Sequence, residues 1–253
     1  VVVTGNNLDL CIEYNAKCNV SEGGSVALAS RMMGEIVRSM PDGNVTVSVD
    51  ETNYITKIES GQSKFNIQGL SSNEYPAAPI LDEKFMFTLT QNILKKLIRK
   101  TISFISLNEG KKPVLTGALF EIKNGTLNVA ASDGHRLAVV REELKENVSD
   151  AKFVIPRTTL NELSKILKDE DEPVKIIVSD RHVMFDFNDF QVYTRLLDGD
   201  FLNYEAIISV VNTISVVVDK RVLTDSLERA LLLINDDVSA KSDKRVPVRF
   251  NVA

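Results

Sequence analysis

Residues 153–167, FVIPRTTLNELSKIL, answer residues 26–40, VALASRMMGEIVRSM, position for position. At a spacing of 127, Met33 meets Leu160, Glu35 meets Glu162, Ile36 meets Leu163, Arg38 meets Lys165 and Met40 meets Leu167. Each stretch reads as a short strand, a cap-like Ser or Thr, and an amphipathic helix with apolar residues three and four apart. The register runs outward from there. Val45, Val47 and Val49 match Val174, Ile176 and Val178, both sets alternating as half-buried strands do. Phe65 matches Tyr193, and Tyr75 matches Tyr204. A third copy opens near the end: 216–235, VVVDKRVLTDSLERALLLIN, follows 87–106, FTLTQNILKKLIRKTISFIS, at a spacing of 129. Self-similarity at a fixed period marks a repeated architecture.

The middle unit, 85–212, is expected to be complete. The unit at 1–84 lacks its opening, because Val1 and Val3 match Leu127 and Val129, well inside the middle unit. The stretch 213–253 supplies only an opening third. The parent is expected to hold three domains of about 125 residues, with about 40 residues ahead of this chain and about 80 behind. Within the middle unit, helices are expected near 91–106 and 158–168. Strands are expected near 86–89, 115–122, 126–131, 136–140, 152–155, 174–179, 183–187 and 191–197. Asn124-Gly125, Asp133-Gly134 and Asp198-Gly199 supply turns between them. The fold class is α+β, with two helices packed on antiparallel sheets in each repeat.

Net charge is −5, so a nucleic-acid partner has to be argued from local charge placement. Two cysteines, Cys11 and Cys18, are too few for a disulfide framework and have no companions as metal ligands. They read as thiols of a reducing, cytoplasmic compartment. No apolar run approaches the roughly 20 residues of a membrane span.

The helix at 92–105 carries the clearest charge segregation. Leu94, Ile98, Thr101 and Ile105 share one face, while Lys95, Lys96, Arg99 and Lys100 share the other, with no acid between 91 and 107. The second helix adds Lys165 and Lys168, and its counterpart in the first unit adds Arg31 and Arg38. Such a face is either ordinary solvated surface or a surface that tracks backbone phosphate without reading bases. The helix alone does not decide between them.

Catalytic chemistry has little to work with. His135 and His182 lack metal-ligand spacing, and Gly110-Lys111 lacks the upstream glycine of a phosphate loop. Acidic pairs such as Asp169 and Asp171 fall in a turn between helix and strand. No metal, cofactor or enzymatic activity is expected.

The sharpest local signal is Ser132-Asp133-Gly134-His135-Arg136-Leu137-Ala138, physically a hairpin corner whose Asp-Gly supplies the positive-φ turn. Read with its upstream strand, the stretch 114–138, VLTGALFEIKNGTLNVAASDGHRLA, resembles the second domain of the bacterial DNA sliding clamp family, the beta subunit of DNA polymerase III. In that family a Leu-x-Gly-x-Leu-Phe strand precedes Thr/Ser-Asp-Gly-His-Arg-Leu-Ala. Val154-Ile155-Pro156-Arg157 and Leu197-Asp198-Gly199-Asp200-Phe201 with Tyr204 extend the resemblance over the whole chain.

The resemblance implies a DNA-clamp fold and a non-catalytic processivity factor. Its subunits form a head-to-tail homodimeric ring around double-stranded DNA, with sheets outside and helices lining the hole. Arg31, Arg38, Lys95, Lys96, Arg99, Lys100, Arg157 and Lys165 would face the duplex. Ile36, Phe65 and Ile67 would lie on the first-domain side of the dimer interface. Leu115, Ser132, Gly134, His135, Arg136 and Leu137 would form the second-domain wall of a cleft that takes short hydrophobic tails of polymerases and of the clamp loader. Ile207-Ile208-Ser209-Val210 lacks the proline the family commonly carries in the linker to the third domain, a departure at that edge of the cleft. The opposite wall would lie beyond Ala253, so this stretch alone is expected to bind peptides weakly and not to close a ring. A rival expectation is a clamp relative that binds partners without encircling DNA.

Overall fold

The computed structural model describes residues 1–107, 110, 112–209, 215–235 and 249–250. In chain order the first repeat supplies β1 (Val2–Asn6), β2 (Leu10–Asn15), α1 (Ser30–Ser39), β3 (Thr46–Val49), β4 (Ile55–Ser60) and β5 (Ser63–Gln68). The second supplies β6 (Phe85–Thr90), α2 (Gln91–Thr101), β7 (Gly117–Lys123), β8 (Thr126–Ser132), β9 (Leu137–Glu143), β10 (Ala151–Pro156), α3 (Arg157–Ile166), β11 (Pro173–Val178), β12 (His182–Asp186) and β13 (Phe190–Arg195). The short α4 (Tyr204–Ile208) and then α5 (Lys220–Asn235) follow. Val1–Tyr204 form one compact unit and Glu205–Ala253 another.

The repeat is realised in most of its elements, although the short strand expected ahead of α1 is reduced to a single bridge at Ala27, where its counterpart β10 is a full strand. α1 and α3 start 127 residues apart, as do β2 and β9, and β5 and β13. Even a detail recurs: Ala27 bridges to Leu70, and one repeat later the Leu197 N–H donates to the Val154 carbonyl.

Three antiparallel sheets result. One has the order β1-β2-β13-β12-β11-β6, one β10-β7-β8-β9, and one β3-β4-β5. The six-stranded sheet crosses the repeat boundary, because β2 of the first repeat pairs with β13 of the second, Ile12 opposite Val192 and Cys11 opposite Tyr193. α2 and α3 pack side by side, with α2 over β6, β8 and β9 and α3 against β10. Leu94, Leu97 and Ile98 of α2 and Leu160 and Leu163 of α3 are buried with Phe87, Phe120, Val129, Ile155, Ile176 and Phe185 from the sheets. Each such side chain contributes about 1.5–3 kcal/mol on leaving water.

β7 is buried on both faces. Ala118, Phe120 and Ile122 enter this main core, while Leu119 faces a second, smaller cluster on the other side. The first repeat keeps its own small core of Ile36, Ile58 and Ile67, with Leu28, Met33 and Met40 packed against it.

Several expectations need correction. The cap-like Ser and Thr do not cap: α1 and α3 are entered from Ala29 and Pro156 with no side-chain cap, because Ser30 and Thr158 already lie inside the first turn. α2 stops at Thr101 and gives way to a single tighter turn over Ile102–Phe104, short of the expected 106. The Thr101 hydroxyl donates to the carbonyls of Leu97 and Ile98, at 2.9 and 3.2 Å, and such back-bonding bends or weakens a helix. The strand-like run 216–218 forms no strand, and Val217 is 97% exposed. A strand needs a neighbour for its N–H and C=O groups, and none among the described residues pairs with it. The helix after it does form, its first turn satisfied by Asp219 Oδ1 accepting from the N–H groups of Arg221 and Val222. Lys111 of the Gly110-Lys111 pair, Val210 of the expected linker, and the expected third unit apart from 215–235 and 249–250 lie outside the described residues.

Candidate functional site

α2 carries no acid of its own in its first turn. The acidic turn after α3 compensates. Gln91 Nε2 donates to Glu172 at 2.9 Å, Asn92 Nδ2 to Asp171 at 2.6 Å, and Lys95 Nζ pairs with Asp169 at 2.7 Å. Gln91 Oε1 also accepts the Lys168 N–H at 3.0 Å. Negative charge at the positive end of the helix dipole is stabilising, so these carboxylates bracket α2. In the sequence they look like solvated charge in a turn. The signal that could identify them is a first turn without acids facing a four-acid loop.

The basic residues expected to face DNA fall into three groups. Lys95 is tied to Asp169, Lys96 to Glu142 at 3.4 Å, Lys165 to Glu162 at 2.8 Å and Arg31 to Glu35 at 2.9 Å. Arg99 and Lys100, exposed in the last turn of α2, form no ion pair among the described residues, and neither does Arg38 in the last turn of α1. Arg157 is half-buried and donates to the Ile105 carbonyl at 3.1 Å, so part of its donor capacity holds the end of α2 in place. Among the described residues expected to face DNA, exposed charge without an ion pair thus falls at the C-terminal ends of α1 and α2.

The six residues expected to form a cleft wall lie at one end of the β10-β7-β8-β9 sheet. Leu115 and Leu137 pack against the smaller cluster of Val114, Leu119, Ala130, Val154 and Tyr204. The turn between β8 and β9 is built by its own side chains. Ser132 Oγ donates to the Arg136 carbonyl at 2.8 Å and accepts the Gly134 N–H at 3.0 Å, and Asp133 Oδ1 accepts from the N–H groups of His135 and Arg136. Burial opposes the Asp133 carboxylate, but these donors and the Arg136 guanidinium outweigh it and hold the group below its usual range. Gly134 sits at φ +86°, in the left-handed region that glycine enters without strain. His135 stands exposed at the tip.

His182 belongs to β12 in the six-stranded sheet, so the two histidines do not share a site. Burial, with Arg195 and Arg181 nearby, keeps its imidazole below the usual value.

Of the residues expected at a dimer interface, Ile36 and Ile67 are spent on the first repeat's own core. Phe65, 36% exposed, is the one that offers apolar surface.

This arrangement can be set beside known proteins. The family model described as DNA polymerase III beta subunit, central domain, matches residues 88–203, and its N-terminal domain counterpart matches residues 1–79. A beta sliding clamp of Bacillus subtilis is 31% identical over 267 residues, covering 99% of this chain and 70% of that protein. The chain belongs to the beta sliding clamp family. The clamp of Halalkalibacterium halodurans is 36% identical over 92% of this chain, which spans 64% of that relative's length. Among solved structures, a DNA polymerase III beta subunit from Eubacterium rectale superposes with a TM-score of 0.87 at 34% identity, covering 92% of this chain and 63% of that one. A sliding clamp from Pseudomonas aeruginosa bound to griselimycin gives 0.84 at 25% identity, covering 91% and 63%. Among the described residues no helix is long and apolar enough to cross a membrane.

Contacts across the chain add to the expected cleft wall: Tyr204 packs in the smaller cluster and donates to Glu121, while the Ser103 carbonyl and the Phe104 ring meet Arg136. The sequence shows these residues but not the contacts.

Proposed function

We propose that the native protein is a processivity clamp: a non-catalytic, homodimeric ring that encircles duplex DNA in the cytoplasm and tethers polymerases through their hydrophobic tails. In this reading 1–84, 85–212 and 213–253 belong to successive clamp domains. The basic helix ends face the duplex, and the wall around Leu115, Leu137 and Arg136 takes the peptide.

The observation that carries the reading is how one repeat joins the next. β2 pairs with β13 of the following repeat, extending one sheet across the boundary. The repeat gives both strands an equivalent: β9 corresponds to β2, and β5 to β13. Each lies at an end of its sheet, with its outer edge free among the described residues. A unit that offers a β2-type edge on one side and accepts on a β13-type edge on the other propagates head to tail. Closed point-group symmetry turns such propagation into a ring. A ring also accommodates a net charge of −5, because retention on DNA is topological and its phosphate contacts need only be weak and non-specific.

The test loads the full-length native protein with its clamp loader onto nicked circular DNA, isolates the complex at moderate salt, and cuts the circle once. Release only on linearisation is the expected result. Retention on linear DNA, or loss at moderate salt before cutting, would mean that the protein holds DNA by ordinary contacts or not at all.

A further inference from the structure

Arg136 is 58% exposed, yet its guanidinium is held from three sides. Nε donates to Asp133 Oδ2 at 3.1 Å, Nη2 donates to the Ser103 carbonyl at 2.6 Å, and the guanidinium carbon lies 5.1 Å from the centroid of the Phe104 ring. Ser103 and Phe104 belong to the tight turn that ends α2, 33 residues upstream of Arg136. The turn exists because α2 stops at Thr101, and it presents a carbonyl and an aromatic face at the rim of the cleft wall. A guanidinium has five N–H donors, so with two engaged the others stay available to an acceptor on a bound chain.

We infer that Phe104 is a positioning residue for peptide capture: with the Ser103 carbonyl it holds the Arg136 guanidinium in place, so that the peptide meets an already ordered donor. This rests on the cleft reading above. Ordering a long side chain on binding costs about two- to tenfold in affinity, which a preformed Arg136 avoids. The ring's own attraction for the cation is worth about two- to fivefold at an exposed site.

The experiment uses the full-length native protein and a fluorescent synthetic peptide copying the tail of its replicative polymerase, with affinity read by anisotropy. Phe104→Leu keeps apolar volume and removes the aromatic face, and it is expected to weaken binding about two- to fivefold. Phe104→Tyr restores the wild-type value. With Arg136→Ala already present, Phe104→Leu adds nothing. Arg136→Lys, which keeps the charge but cannot fork between Ser103 and Asp133, should bind as poorly as Arg136→Ala. Phe104→Leu binding like wild type, or weakening equally with and without Arg136, overturns the inference, as does wild-type binding by Arg136→Lys. If Arg136→Ala alone leaves affinity unchanged, the cleft reading falls and takes this inference with it.

Discussion

Glu121 is a charged residue on a strand buried on both faces, and its side chain is only 2% exposed. It is tolerated because Lys152 Nζ pairs with it at 2.6 Å and the Tyr204 hydroxyl donates to it. Burial pushes its carboxyl up, but the hydrogen bonds from Lys152 and Tyr204 outweigh burial and leave it below 4.5, the ordinary value. A depressed folded-state value contributes stability that is present above the unfolded value and lost as pH falls through the folded one. Glu121→Gln is therefore expected to cost about 1–2 kcal/mol at neutral pH, discounted because Lys152 is largely exposed. Thermal melts at pH 7 and pH 4 check this: the gap between wild type and variant should narrow at the lower pH, and an equal gap at both would contradict it. Tyr204 is legible in the sequence as the repeat partner of Tyr75 and as part of the family resemblance, but not as a buried donor. The structure gives the pair a common purpose, for Tyr75 reaches back to β1, donating to the Thr4 carbonyl and accepting the Asn6 N–H, as Tyr204 reaches back to β7. What the sequence could not show is the acceptor, 83 positions away from Tyr204.

At the scale of elements, periodicity finds the start and buried face of α2 but not its end, because Leu94, Leu97, Ile98 and Thr101 follow the helical repeat whatever the helix packs against. The opposite face is legible in sign but not in effective charge. Lys95 and Lys96 are partly neutralised by Asp169 and Glu142, which lie 74 and 46 residues downstream. Arg99 and Lys100 have no such partners among the described residues and sit at the helix C-terminus, where cations are favoured. Reversal of Arg99 and Lys100 to glutamate is accordingly expected to impair clamp loading more than reversal of Lys95 and Lys96, and to leave peptide binding intact. The salt dependence of DNA association should flatten by about 0.9 for each phosphate no longer neutralised. Equal defects from the two pairs would mean that the ion pairs open on DNA and that all four charges count alike. Reversal of the first pair leaves the bracket at Asp169–Glu172 untouched but sets two anions at the negative end of the helix dipole, so melting temperatures of both double variants are measured beside loading to separate DNA association from folding.

For the whole molecule, the decisive fact is that a sheet joins the first repeat to the second. The sequence aligns the first two repeats and the opening of an expected third but is silent on the joint, since strand pairing between copies leaves no periodicity of its own. β2 on β13 supplies the template. The matching edge at the start of the chain is β5, where Ile67 is buried in the local core and Phe65 is left partly exposed. An exposed apolar edge strand is an aggregation liability unless a partner covers it, and the proposed ring gives it one in a second subunit. Phe65→Asp places a charge on that edge without removing a member of the Ile36, Ile58 and Ile67 core. In the full-length native protein it is expected to raise the dimer dissociation constant about tenfold or more, as loss of a buried aromatic anchor does. Sedimentation across a concentration series should reveal a monomer that melts close to wild type. If the variant instead remains dimeric at all concentrations, β5 is not the joining edge, and closure has to run through a different surface from the one that unites the first two repeats.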